Sequence, residues 1–80
     1  MSVWLYLKET DGNRTVYYYG ETSVGVYDGE IEVNIAENSV ETLKFATGDE
    51  KGGLANRVSR HVCTTVVKMG CPQERYIATG

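Results

Sequence analysis

The sequence has little of the chemistry that most catalytic and metal sites need. It contains one histidine, His61, and two cysteines among 80 residues. Residues two positions apart on a helix point about 200° away from each other, so His61 and Cys63 cannot form a base and nucleophile pair. Together with Cys71 they also lack the paired spacing of structural zinc sites. No carboxylate pair or cofactor motif stands out, so we expect a non-enzymatic protein without a metal or cofactor.

Long hydrophobic runs are absent too. No stretch approaches the roughly 18 apolar residues of a membrane-spanning helix, and the apolar opening reaches Lys8 too soon for a signal peptide. Cys63 and Cys71 are separated by a helical rise of about 12 Å, whereas bridged Cα atoms lie about 5.5 Å apart. We therefore expect free thiols and a cytoplasmic protein with no membrane partner.

Basic residues are scarce in the first part of the chain. Residues 1–50 carry ten acidic and three basic residues, a net charge of −7, and residues 51–80 carry five basic residues and one acidic residue, a net charge of +4. The whole chain has a net charge of −3. This asymmetry indicates either two partner surfaces or, more commonly, two halves that complement each other on packing.

The chain length predicts a single domain over residues 1–80, and its first element is a β-hairpin over residues 2–20 that turns at Asp11-Gly12. With a two-residue loop, Leu7 lies opposite Val16 and Leu5 opposite Tyr18 on one face of the hairpin. A three-residue loop would shift the second strand by one residue and exchange its faces. The two-residue loop predicts an aromatic face made of Trp4, Tyr6, Tyr17 and Tyr19.

A second hairpin is predicted to turn at Asp28-Gly29, with valines 24 and 26 paired to Val33 and Ile31. Glu30 and Glu32 then point away from the apolar face and share the face of the aromatic residues. Residues 39–47 fit either a strand or a short helix, and their β-branched and aromatic content favours a strand over 41–47.

From Gly53 to Met69 the apolar residues follow the helical period. Gly70 is suited to end this helix and Pro72 prevents its continuation, after which residues 74–79 can return as a final strand. The predicted fold class is α+β: a small antiparallel sheet of two hairpins, packed on one face by a single helix in the C-terminal half, with a short final strand. One helix covers only one face of such a sheet, so the other face stays open.

Three interpretations fit the aromatic face: cross-strand pairing that stabilises a small hairpin, a protein interface, or a platform for nucleic-acid bases. Glutamates on the same face repel phosphates and disfavour the third. We hypothesise a small acidic protein-binding protein of the inhibitor, antitoxin, immunity or phage anti-defence type, whose partner has a basic surface. Its proposed binding residues are Trp4, Tyr6, Tyr17, Tyr19, Glu30 and Glu32.

Two alternatives remain open at this point. The outward side of the helix carries a basic stripe of Arg57, Arg60 and Lys68, which could bind nucleic acid but is more commonly a solvated helix face. The chain could also be a structural homodimer in which the aromatic face pairs with itself.

The glycine-rich segment 48–53 before the helix departs from the phosphate-binding loop pattern, so we interpret it as a connection between the sheet and the helix.

Overall fold

In a computed structural model, which describes residues 2–78, the chain forms a five-stranded antiparallel sheet with one helical segment on one face. The strand order is β4-β3-β2-β1-β5, so β4 and β5 are the edges. This architecture confirms the predicted α+β class. The strands are β1 (Ser2–Asp11), β2 (Arg14–Glu21), β3 (Gly29–Asn34), β4 (Ser39–Lys44) and β5 (Glu74–Ala78).

The core lies between the sheet and the helical segment. On the sheet side it contains Leu5, Ile31 and Ile77, each at most 3% exposed. On the helix side, Val58, Val62 and Val66 are fully buried. No helix within residues 2–78 lies over the opposite face of the sheet, which agrees with the open face predicted from the sequence.

A β-bulge at Lys8 determines which residues of β2 face the helix. The turn is the two-residue loop Gly12-Asn13, one residue later than the predicted Asp11-Gly12, and Asp11 lies opposite Arg14. The register then shifts by one between Leu7 and Glu9. Because side chains alternate along a strand, this extra residue exchanges the faces of the rest of β2 relative to β1. The predicted pairing of Leu7 with Val16 is therefore wrong, and Leu7 lies opposite Tyr17.

The predicted second hairpin is also wrong. Residues 22–28 form a loop rather than a strand, and Gly29 begins β3 instead of closing a turn. Gly29 lies opposite Tyr19, and a Cβ on Gly29 would overlap the Tyr19 ring. This glycine is thus required by the packing of an aromatic ring across the strands, not by a positive φ. The actual second hairpin joins β3 to β4, with Asn38 at φ 52.

The ambiguous segment 39–47 is a strand over Ser39–Lys44, which confirms the favoured interpretation. The strand begins two residues earlier and ends three residues earlier than the predicted 41–47.

The helical segment begins as α1 (Gly53–His61) and continues as a π-helix over Val62–Val66. The buried valines 58, 62 and 66 are four apart, a spacing that drifts by about 40° per step around an α-helix. The wider π turn partly offsets that drift and keeps Val66 over the sheet.

The helical segment ends at Val66, three residues before the predicted Met69, but Gly70 has the left-handed conformation expected after a helix. Gly70 has φ 80 and donates its N–H to Val67 O at 3.1 Å. The final strand is β5, and the predicted Thr79 lies outside the described residues.

Both cysteines are free thiols. Within residues 2–78, no helix has the length and apolar character needed to cross a membrane.

Candidate functional site

The open face of the sheet carries a cluster of aromatic side chains, which we call the open-face cluster. The Trp4 ring stacks on Tyr6 at 5.9 Å between centroids and lies 5.1 Å from Tyr76. Tyr27 meets the Tyr6 ring edge-on at 5.3 Å, and Tyr18 is the direct cross-strand neighbour of Tyr6. Tyr76 is 48% exposed and the other four rings are half-buried. The cluster is therefore one continuous and partly solvent-exposed surface.

The structure places Trp4 and Tyr6 on the open face as predicted, but not Tyr17 and Tyr19. Both tyrosines are fully buried beneath the helical segment, because the bulge at Lys8 turns odd-numbered residues of β2 toward the helix. The Tyr17 hydroxyl donates to Pro72 O at 2.7 Å. Burial raises the pKa of both hydroxyls, so both remain protonated donors. The prediction that these two residues lie on the exposed aromatic face is wrong.

Tyr19 anchors a buried hydrogen-bond network at the start of the helix. Its hydroxyl donates to Asp49 Oδ2 at 2.8 Å and accepts from the Ala46 N–H at 3.0 Å. The Asp49 carboxylate also accepts from the Leu54 and Ala55 N–H groups, at 2.8 and 2.9 Å. Gly52, at the N-cap position, has no side chain that could accept these hydrogen bonds. Asp49 therefore takes the place of the N-cap residue.

This network also decides against a phosphate site in the segment 48–53. The first free N–H groups of a helix are the donors that would bind a phosphate. Two of them, on Leu54 and Ala55, already donate to Asp49, and the carboxylate would repel a second anion. The segment is a connection held by Asp49, in agreement with its interpretation from the sequence.

Tyr27 reaches the open-face cluster because Gly20 has no side chain. A Cβ on Gly20 would overlap the Val26 carbonyl oxygen and lie 2.8 Å from the Tyr27 ring. The loop 22–28 thus packs directly on the backbone of β2, with its far end fixed by Asp28. The Asp28 carboxylate accepts from the N–H and the hydroxyl of Thr47, at 2.7 and 2.6 Å, and these hydrogen bonds hold the pKa of Asp28 below its usual value.

We expect Gly20→Ala to displace this loop and to separate Tyr27 from Tyr6. Overpacking of this kind costs about 1–3 kcal/mol of unfolding free energy, measurable by urea denaturation, and the near-ultraviolet circular dichroism of the cluster should weaken. Gly53→Ala is the matched control, because a Cβ at Gly53 has open space within 4 Å. Equal behaviour of the two variants would show that Gly20 does not position the loop.

Ion pairs cover the rest of the open face. Lys8 Nζ lies 2.7 Å from Glu30 Oε1, and Arg14 pairs with Glu32 and, at 3.5 Å, with Glu9. The hydrogen bond to Glu30 is the main cause of the raised pKa of Lys8. Glu30 and Glu32 therefore lie on the predicted face, but each has a basic neighbour. The pairs are largely exposed, so they contribute little to stability.

The predicted basic stripe divides into two places, because the helical segment ends at Val66, before Lys68. Arg57 and Arg60 are exposed and line a groove of about 500 Å³ against Ile77 and Ala78 of β5, together with His61 and Thr64. Lys68 is exposed but does not line this groove. The predicted basic stripe is thus exposed as expected, and only two of its three residues share a concave surface.

Sequence reasoning missed Tyr18, Tyr27 and Tyr76. Alternation within the final strand would have placed Tyr76 on the open face with Glu74. Within residues 2–78, no group of three histidine, cysteine, aspartate or glutamate side chains could hold a metal ion. Comparison with family models, with curated proteins and with solved structures found no match to this chain. Function therefore has to come from the geometry of these sites.

Proposed function

We propose that this protein is a non-enzymatic protein-binding protein that acts through the open face of its sheet. The open-face cluster carries the proposal, since it brings one tryptophan and four tyrosines together on a surface that no other part of residues 2–78 covers. Tryptophan and tyrosine dominate the energetics of many protein interfaces. They bury large areas while ordering few rotatable bonds.

The rings of the open-face cluster also pack against each other before any partner binds. Trp4 is held between Tyr6 and Tyr76, at 5.9 and 5.1 Å between ring centroids. Side chains that already pack against each other lose less conformational freedom when a partner covers them. We therefore propose Trp4 and Tyr6 as the central anchors of the interface, with Tyr76 at its more exposed border.

The charge around the cluster favours a partner with a basic surface. Glu74 lies opposite Tyr6 on the open side of the sheet, and Glu41 lies opposite Glu32. Among the described residues, neither Glu41 nor Glu74 forms an ion pair. Complementary charge at the border of an interface mainly increases the association rate and excludes wrong partners. An inhibitor, antitoxin, immunity or anti-defence protein of the cytoplasm would use such a surface to cover its target.

We expect Trp4→Ser combined with Tyr6→Ser to abolish capture of the partner from lysate of the source organism, with tagged protein as bait. Phe45→Ser is the control, because Phe45 is 49% exposed but lies beside Gly52 at the start of the helix. The captured protein should survive nuclease treatment, and the purified pair should shift the emission of Trp4, the only tryptophan.

Three results would contradict the proposal. One is a partner that the double variant still captures with unchanged affinity. Another is material that disappears on nuclease treatment, which would favour the nucleic-acid alternative. The third is a stable dimer by light scattering that the double variant converts to a monomer, which would favour the structural homodimer.

A further inference from the structure

A second surface, separate from the centre of the open-face cluster, lies along the outer edge of β5. This strand is at one end of the sheet, and within residues 2–78 it pairs only with β1. The Leu7 N–H donates to Gln73 O, so odd-numbered residues of this segment point their backbone groups toward β1. The even-numbered residues therefore direct their N–H and C=O groups outward: Glu74, Tyr76 and Ala78.

The helical segment makes this edge basic on one side. Arg57 and Arg60 line the groove above Ile77 and Ala78, and Arg75 points to the same side of the sheet as Ile77. None of the three arginines forms an ion pair within the described part of the chain. Arg57 also borders Glu21 and Glu50 across a neighbouring hollow, so Arg60 is the less compensated of the two helical arginines.

Two polar atoms in this region lack a partner of their own. His61 Nε2 and Arg75 Nε are buried and make no hydrogen bond among the described residues. Buried polar groups are nearly always satisfied, so each such exception needs an explanation. Burial, followed by the positive charge of Arg75, lowers the pKa of His61. An acidic group in the groove would supply a compensating charge to Arg60, which lines the groove together with His61.

We propose that the edge of β5 and this basic groove together bind an extended acidic peptide segment of a partner protein by strand addition. The outward backbone groups of β5 would pair with the peptide backbone. Alternate peptide side chains would then point to opposite sides of the sheet. Acidic side chains on the helix side would meet Arg60 in the groove, and apolar side chains on the open side would lie beside Tyr76.

A second copy of this chain fits the edge less well. Pairing β5 with its own copy would bring two sets of arginines together, and like charges in a shared groove repel. Pairing β5 with the β4 edge of another copy would form an open-ended assembly. It would also bring Val40 and Thr42 to the helix side, since these residues lie opposite Val33 and Ile31. No acidic side chain would then enter the groove.

The test uses a capped, fluorescently labelled peptide of about seven residues that alternates glutamate with valine, so that it spans the five residues of β5 with one residue to spare at each end. Anisotropy titrations at low salt should show binding to the native protein. We expect Arg60→Glu to weaken this binding by about tenfold or more. Lys68→Glu changes the net charge equally but lies outside the groove, so it should leave the affinity within about twofold. Tyr18→Ser should also leave it unchanged, because Tyr18 belongs to the open-face cluster but lies on β2, which β1 separates from β5.

A third variant tests the backbone pairing. Ala78→Pro removes an outward N–H without removing a bond to β1, and it should abolish peptide binding while far-ultraviolet circular dichroism and the melting temperature stay near native values. Equal losses from Arg60→Glu and Lys68→Glu would overturn the proposal, because only general charge attraction would be at work. Unchanged binding by a folded Ala78→Pro variant, or binding of a single-stranded oligonucleotide in place of the peptide, would overturn it as well.

Discussion

Replacing Tyr19 with serine should remove a large part of the unfolding free energy of the chain. Tyr19 is fully buried, and its ring packs over Gly29 on the helix side of the sheet. Removing a buried aromatic ring costs about 3–5 kcal/mol, and the small hydroxyl of serine cannot reach Asp49. A domain of 80 residues has only about 4–12 kcal/mol of unfolding free energy. Urea denaturation and far-ultraviolet circular dichroism would measure the loss.

Tyr19→Phe separates the ring from the hydroxyl. The ring stays in place, but the Ala46 N–H loses its acceptor. A buried donor left without a partner costs about 1–3 kcal/mol, so the phenylalanine variant should fold and melt clearly below the native protein. If Tyr19→Ser were as stable as the native protein, Tyr19 would have to lie on the exposed side of the sheet and the Lys8 bulge would be wrong.

Replacing Asp49 with alanine should be the second most damaging change. The carboxylate is 7% exposed and accepts three hydrogen bonds, from Tyr19, Leu54 and Ala55. Loss of a helix cap costs about 0.5–2 kcal/mol. Loss of the acceptor for the buried Tyr19 hydroxyl adds about 1–3 kcal/mol. Thermal denaturation should report the sum, since each kcal/mol lowers the melting temperature by about 4–8 °C in a domain of this size.

Two further variants define the origin of that effect. Asp49→Asn keeps one oxygen as an acceptor and should recover part of the lost stability. Asp49→Ala in the Tyr19→Phe background should cost less than in the native protein, because no hydroxyl is then left without an acceptor. Additive losses in the double variant would show that Tyr19 and Asp49 act independently, contrary to the geometry.

The fold class and the helix could be predicted from the sequence because they depend on periodic features. The helix that begins at Gly53, the left-handed Gly70 and the alternation in 30–33 all have direct counterparts in the structure, although the helical segment ends at Val66 and not at Met69. The second hairpin could not be predicted, since Asp28-Gly29 matches a common turn. What prevents that turn is distant in sequence: the Tyr19 ring occupies the space beside Gly29.

The candidate site could be predicted only in part for a similar reason. Trp4 and Tyr6 lie before the bulge, so alternation alone places them on the open face. The positions of Tyr17 and Tyr18 depend on a single extra residue at Lys8, for which the sequence has no clear signal. The position of Tyr27 depends on a loop that packs on Gly20, and a loop has no sequence periodicity from which side-chain positions could be predicted.

The bulge at Lys8 also constrains how the length of this hairpin can change in evolution. Deleting Lys8 would restore regular pairing and leave every other side chain on its present face, because Leu7 would still lie opposite Tyr17 and Glu9 opposite Val16. Losing the bulge while keeping every residue would instead bring Leu7 opposite Tyr18 and turn Tyr17 and Tyr19 outward. Natural variants of this chain that lack the bulge should therefore also lack one residue between Leu7 and Arg14.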